Sequence, residues 1–128
     1  MLNQSDFDLD LQYGEEGEKW LTWLASEGAK VEVKTERDIW HKTKNIFIEY
    51  KCRGNPSGLA VTKSDYWITN LKKDNKTFGT VVVETKRLKK NLKRLIKNGK
   101  ISIGTKGGDF NMSEGILLPL NLLHEIFD

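Results

Sequence analysis

The fold of this 128-residue chain depends on two runs, Lys30-Val31-Glu32-Val33-Lys34-Thr35-Glu36 and Asn45-Ile46-Phe47-Ile48-Glu49-Tyr50-Lys51-Cys52. Apolar side chains alternate with other residues in both, which predicts two β-strands. Each run contains a Glu-x-Lys triplet, and period two places the Glu and the Lys of a triplet on one face. If the two strands pair as a hairpin, four charged groups meet over one patch.

The remaining elements follow from periodicity and turn chemistry. Trp20, Leu21, Trp23 and Leu24 recur at helical spacing, which predicts a first helix over 13–26. Further strands are predicted over 66–71, 78–84 and 115–119, and further helices over 86–97 and 120–127. This order predicts an α/β or α+β sheet protein, with residues 1–128 forming a single domain.

Composition limits the class of protein. No apolar run approaches the roughly 18–20 residues of a membrane span, so no membrane partner is expected. The acidic start of the chain, 1–10, has no basic-then-apolar signal segment. The single cysteine, Cys52, excludes an internal disulfide framework and a cysteine-based zinc site. The expected location is therefore a reducing cytoplasm, that of the host cell if the protein is viral.

The acidic strands carry the chemistry. Carboxylates such as Glu32 and Glu49 are hard oxygen ligands that suit a divalent cation. A neighbouring ammonium, from Lys34 or Lys51, can orient a water or stabilise charge on a phosphate. Together these groups predict metal-assisted hydrolysis of a phosphodiester. The opposing interpretation is a solvated strand face on which Glu and Lys simply pair.

Two basic segments predict contacts with a nucleic-acid backbone. The stretch 86–100 contains eight Lys and Arg residues and no acid, and the loop 53–63 offers small residues, hydroxyls and cations. The predicted DNA contacts are Arg53, Ser57, Thr62, Lys63, Lys86, Arg87, Lys90, Lys93 and Arg94. Such contacts imply no sequence specificity, and an ordinary solvated surface is the alternative.

Taken together, these residues resemble the PD-(D/E)XK nuclease superfamily. A helix bearing Glu18 precedes acidic strands ending in Ile48-Glu49-Tyr50-Lys51, and the run 13–67 is similar to small phage-type endonucleases of that superfamily. Glycine and glutamate near the start of the first helix also look like the archaeal Holliday-junction resolvases. The resemblance covers the first half of the chain. It implies a restriction-endonuclease-like fold, a mixed sheet flanked by helices, and cleavage of DNA with Mg²⁺, or Mn²⁺ in its place.

The resemblance also implies roles. Glu18 would support the metal, Glu32 and Glu49 would bind it, and Lys51 would orient the attacking water. No Pro-Asp precedes Glu49, so Asp38 is a candidate for the missing acid and metal ligand. In an alternative register Glu32-Val33-Lys34 is the motif itself and Lys34 is the catalytic lysine.

The resulting expectation is a homodimeric, magnesium-dependent endonuclease that acts on branched DNA such as a Holliday junction, as in DNA recombination. A site-specific cutter of homing or restriction type is the next hypothesis. The rival from another class is a non-catalytic nucleic-acid-binding protein, in which the basic helix carries the whole function. A small accessory protein whose basic face meets an acidic partner is the third.

Overall fold

The computed structural model describes residues 28–128. The helix predicted over 13–26, and with it Glu18, lies outside the described residues. Residues 31–128 form one compact unit. Its elements in chain order are β1 (Val31–Arg37), α1 (Ile39–Thr43), β2 (Asn45–Cys52), β3 (Asn55–Pro56), a 3-10 turn (Gly58–Ala60), β4 (Tyr66–Lys73), β5 (Lys76–Glu84), α2 (Thr85–Lys97), β6 (Thr105–Gly107), a 3-10 turn (Asp109–Asn111), β7 (Ser113–Pro119) and a 3-10 segment (Leu120–Phe127).

The strands form two sheets, so the predicted mixed α+β class is confirmed. One sheet has the order β1-β4-β5, with β1 and β4 parallel and β4 and β5 antiparallel. The other has the order β3-β2-β7-β6, and all its pairs are antiparallel. The parallel pair follows from the long connection between β1 and β4, since parallel strands need a crossover rather than a tight turn.

The hairpin expected between the two acidic strands is wrong, because β1 and β2 belong to different sheets. The connection between them holds α1, and its last residue, Lys44, adopts a left-handed conformation with φ 60°. A helical turn here redirects the chain, so β2 leaves β1 and pairs with β7 instead. The two strands still approach each other at one point, through a hydrogen bond from the Phe47 N–H to the Glu36 carboxylate.

The core lies between α2 and the sheets. Leu88, Leu92 and Leu95 recur along one face of α2 and are at most 2% exposed. They join the alternating apolar face of β2, Ile46 and Ile48, in one cluster of buried side chains. Burial of such a side chain contributes about 1.5–3 kcal/mol, so this apolar stripe fixes α2 on the sheet.

Strand β1 departs from the predicted pattern. Val31 and Val33 were expected on the apolar face, yet they are 43% and 52% exposed. Their polar neighbours Glu32, Lys34 and Glu36 are the half-buried ones. The alternation is therefore real, but the charged face of β1 is the one turned towards the protein.

The helices differ from the predictions in two respects. The helix predicted over 86–97 begins one residue earlier, at Thr85, and the Thr85 hydroxyl shares a hydrogen bond with the Ser64 hydroxyl at 3.0 Å. The terminal helix is a 3-10 segment. Within residues 28–128, no helix combines the length and the apolar character that crossing a membrane requires.

Candidate functional site

A bulge in β2 decides which way its charged side chains point. Glu49 lies opposite Gly115 and Lys51 lies opposite Glu114, so Tyr50 is an extra residue in the strand. Adjacent residues of β7 face opposite sides of the sheet, and their partners do the same. Glu49 and Lys51 therefore lie on opposite faces, and the prediction that this triplet shares one face is wrong.

A cavity of about 180 Å³ lies between the charged face of β1 and the Glu49 face of β2. Glu36 and Glu49 line it together with Lys34, and Trp67 and Phe47 supply apolar wall. This is the place in the described chain where carboxylates from both acidic strands meet a lysine. It brings together Glu49 and Lys34 of the predicted site and adds Glu36, which was not predicted.

Burial and a backbone hydrogen bond both act on the pKa of the Glu36 carboxyl. Its side chain is half-buried, and one carboxylate oxygen accepts the Phe47 N–H at 3.0 Å. Burial raises the pKa of the Glu36 carboxyl, and the hydrogen bond from Phe47 opposes the rise only in part. A raised carboxyl pKa in a cavity is typical of functional sites, although structural networks produce it too.

Glu49 is held by two hydroxyls from distant parts of the chain. Ser57 Oγ donates to one carboxylate oxygen at 2.9 Å, and Ser113 Oγ donates to the other at 2.5 Å. Ser57 follows β3 and Ser113 begins β7, so two separate segments fix the side chain. Hydrogen bonds to a charged group are among the stronger ones, and they leave further lone pairs on both oxygens.

Gly58 brings the Ser57 hydroxyl into range. It has a φ of 49°, and a Cβ atom at this position would overlap the carbonyl oxygen of Glu49. Only glycine lets the backbone approach β2 this closely in that conformation. The Ser57-Gly58 pair is thus a local sequence feature that positions the candidate carboxylate.

Glu32 lies on the same face of β1 as Lys34, two residues earlier in the strand. Its carboxylate oxygen is 3.7 Å from Lys34 Nζ, so the first triplet shares one face as predicted. Lys34 Nζ also lies 5.8 Å from the centre of the Trp67 ring, a cation–π distance. Glu32 does not line the cavity, whereas Lys34 does.

Lys51 and Asp38 lie elsewhere. Lys51 is exposed on the face that carries Glu114, whose carboxyl pKa is lowered by the Tyr50 hydroxyl, the Lys106 ammonium and, more weakly, Lys51. The Asp38 carboxylate accepts the Asp74 N–H at 2.9 Å and so joins α1 to the β4–β5 turn. Neither side chain reaches the cavity around Glu49.

The donor set bears on the expected magnesium ion. Within residues 28–128 no three His, Cys, Asp or Glu side chains are grouped as a metal site. Two carboxylates, Glu36 and Glu49, do share the cavity, and Mg²⁺ is often held by one or two carboxylates with several waters. The residues present therefore fit a hydrated Mg²⁺ in the kind of donor they offer.

The predicted phosphate-binding residues divide into two groups. Arg94 bonds to the Glu125 carbonyl at 3.1 Å and the Asp128 carboxylate at 3.3 Å, and Arg87 bonds to the Phe127 carbonyl at 3.1 Å. These arginines hold the terminal segment. Lys86, Lys90 and Lys93 instead form an exposed stripe along α2, which Lys97, not among the predicted contacts, extends. None of these four lysines makes an ion pair with a described residue.

The predicted loop contacts surround the β2–β3 turn. Arg53 is exposed at that turn with φ 51°, and its N–H donates to the Met112 carbonyl. Ser57 points at Glu49, and the Thr62 hydroxyl bonds to Ser64. Of the loop side chains predicted to contact DNA, Ser57 is the one that belongs to the cavity's surroundings.

Glu36 was the functional candidate that sequence reasoning missed. Its signal was available, because period two places it on the face of Glu32 and Lys34. The bulge at Tyr50 left no such signal, since the sequence there alternates as in a regular strand.

Comparison of the chain with protein-family models, curated proteins and solved structures finds no match in any of the three. Membership of the PD-(D/E)XK superfamily therefore stays a prediction that depends on the residues alone.

Proposed function

We propose that this chain is a magnesium-dependent endodeoxyribonuclease whose site is the cavity between β1 and β2. The observation that carries the proposal is the meeting of Glu36, Glu49 and Lys34 on that cavity. Two carboxylates and an ammonium are the groups that hydrolysis of a phosphodiester with a hard cation requires.

The residues take distinct roles. Glu36 and Glu49 would hold the ion, which when bound supplies a Lewis acid for the phosphate and for an attacking water. The hydroxyls of Ser57 and Ser113 keep the Glu49 carboxylate in one orientation. Lys34 would stabilise the charge that develops on the phosphate.

The lysine stripe of α2 supports DNA binding by this chain, on the face of β2 opposite to the cavity. Four exposed ammonium groups spaced along one helix face suit a phosphate backbone and carry no base specificity. This favours recognition by shape, and branched DNA such as a Holliday junction is the substrate we propose. A symmetric homodimer would cut both strands, with one site in each subunit.

The first experiment measures cleavage of a labelled four-way junction, a linear duplex and a single strand, with Mg²⁺ or with EDTA. Wild type is compared with Glu36→Gln, Glu49→Gln and Glu32→Gln. Glu84→Gln is the matched control, because Glu84 is exposed and does not line the cavity. We expect Mg²⁺-dependent cutting that is lost in the first two variants and kept in the control.

The Glu32 variant separates the two assignments of the acidic residues. Activity that survives Glu32→Gln and is lost with Glu36→Gln places the chemistry at the cavity. Activity that is lost with Glu32→Gln and survives Glu36→Gln would favour Glu32 as the metal ligand, as the sequence predicts. DNA binding without cutting of any substrate by wild type would refute the catalytic proposal and favour the non-catalytic binder, which the lysine stripe alone is sufficient to explain.

A further inference from the structure

A second depression, of about 290 Å³, lies where α2 crosses the sheet of β2 and β7. Leu92 and Ile96 of α2, Ile116 of β7 and Tyr50 of β2 line it, and Ala60 is exposed at its border. Tyr50 lies on this side because residues of a strand alternate between its two faces, which places it with Ile48 and opposite Glu49. The depression and the Glu49 cavity therefore use opposite faces of β2.

Two lysines, Lys89 and Lys93, also line the depression. Lys93 belongs to the exposed stripe of α2, and neither lysine forms an ion pair with a described residue. An apolar hollow bordered by unneutralised positive charge is complementary to a bulky apolar group flanked by negative charge.

The volume and the chemistry of the walls restrict the occupant. About 290 Å³ is at the lower limit of the roughly 300–1,000 Å³ of small-molecule pockets, so it suits one or two bulky side chains. A nucleobase would need hydrogen-bond partners for its edge. The Tyr50 hydroxyl already donates to the Glu114 carboxylate at 2.7 Å, and Leu92, Ile96 and Ile116 offer no polar side-chain atom. Lys89 and Lys93 can donate to a base edge but cannot accept from one, so the walls favour a group whose polar atoms are all acceptors, such as carboxylates.

We infer that this depression is a docking site for an acidic segment of a partner protein that carries an aromatic or large aliphatic side chain. The apolar side chain fills the hollow as an anchor, and carboxylates on either side of it meet Lys89 and Lys93. The site shares no residue with the Glu49 cavity, but it shares Lys93 with the lysine stripe, so an acidic partner docked here would compete with DNA for that ammonium.

The test uses the full chain and a fluorescein-labelled peptide of sequence Asp-Glu-Phe-Asp-Glu, with a second peptide in which Ala replaces Phe. Fluorescence anisotropy measures both affinities. We expect the Phe peptide to bind at least about tenfold more tightly, the effect of burying one aromatic ring. Ala60→Trp fills the border of the hollow and should abolish that difference. Lys89→Glu should weaken binding more than Lys86→Glu, the matched control on the same helix.

Three results would overturn the inference. Equal binding of the two peptides would mean attraction by charge alone. A labelled oligothymidylate that loses affinity with Ala60→Trp would make the hollow a nucleic-acid site. Self-association that Ala60→Trp removes would make the occupant a second copy of this chain. Should Ala60→Trp fail to fold, NMR shifts of the Ile116 and Leu92 methyl groups in wild type must respond to the Phe peptide and not to the Ala peptide.

Discussion

Gly58 offers a direct test of how the Glu49 side chain is positioned. In Gly58→Ala the new Cβ atom would overlap the Glu49 carbonyl oxygen, and the left-handed φ of 49° adds strain. The conformation costs about 1–2 kcal/mol and the overlap about 1–3 kcal/mol, so we expect a loss of roughly 2–5 kcal/mol in the free energy of unfolding. At about 1.5 kcal/mol/M, a loss of about 3 kcal/mol lowers the urea midpoint by about 2 M.

Gly54→Ala is the matched control for this variant. Gly54 also has a positive φ, 81°, but a Cβ atom there would meet nothing within 4 Å. It should lose only the conformational part, about 1–2 kcal/mol. Urea unfolding of both variants, with cleavage measured under conditions where each is folded, separates stability from site geometry. Equal losses of stability in the two variants, or full cleavage by folded Gly58→Ala, would refute the argument that close approach at Gly58 positions Glu49.

Three further predictions concern other parts of the fold. Glu36→Gln should be more stable than wild type at neutral pH. Because the pKa of Glu36 is higher in the folded than in the unfolded state, the stability of wild type falls as the pH rises above about 4.3, and the variant lacks this loss. Urea unfolding that shows the same pH dependence for the variant and for wild type would contradict this. Arg94→Ala should lower the free energy of unfolding by about 1 kcal/mol, and with it the thermal midpoint, because Arg94 holds the terminal segment. Lys90→Ala should leave the thermal midpoint unchanged and weaken the affinity for DNA, measured by fluorescence anisotropy. The reverse pattern would refute the division of the basic residues into structural arginines and DNA-binding lysines. Leu95→Ala should lower the free energy of unfolding by about 2–5 kcal/mol, measured in urea, because Leu95 is fully buried. Ile39→Ala, at an exposed position, should lower it by less than about 0.5 kcal/mol. Similar losses in the two variants would contradict the position of the core at α2.

Local patterns predicted the elements better than their partners. The runs around Glu32 and Glu49 are strands, and the stripe of Leu88, Leu92 and Leu95 is the buried face of a helix. These results follow from side-chain periodicity, which a sequence displays directly. The pairing of β1 with β4 depends on contacts between residues 31–37 and 66–73, and no local pattern specifies it.

The candidate site was predicted in part for the same reason. Glu49 and Lys34 lie on one cavity, although the reasoning that joined them assumed a hairpin that does not form. Glu36 was not predicted because, unlike Glu32, it has no lysine two residues further along the strand. Lys51 was placed on the wrong face because a bulge depends on the partner strand, in which Gly115 and Glu114 are consecutive.

The pair of hydroxyls on Glu49 has a consequence for synthesis of the protein. Ser57 leaves the ribosome soon after Glu49, but Ser113 follows 64 residues behind Glu49 in the chain. A nascent chain in which β7 has not yet been synthesised contains Glu36 and Glu49 but lacks the Ser113 hydroxyl that orients the Glu49 side chain. The cavity therefore cannot be ordered in this way until Ser113 has been synthesised, and premature termination before Ser113 yields fragments that hold the acidic residues without the second hydroxyl.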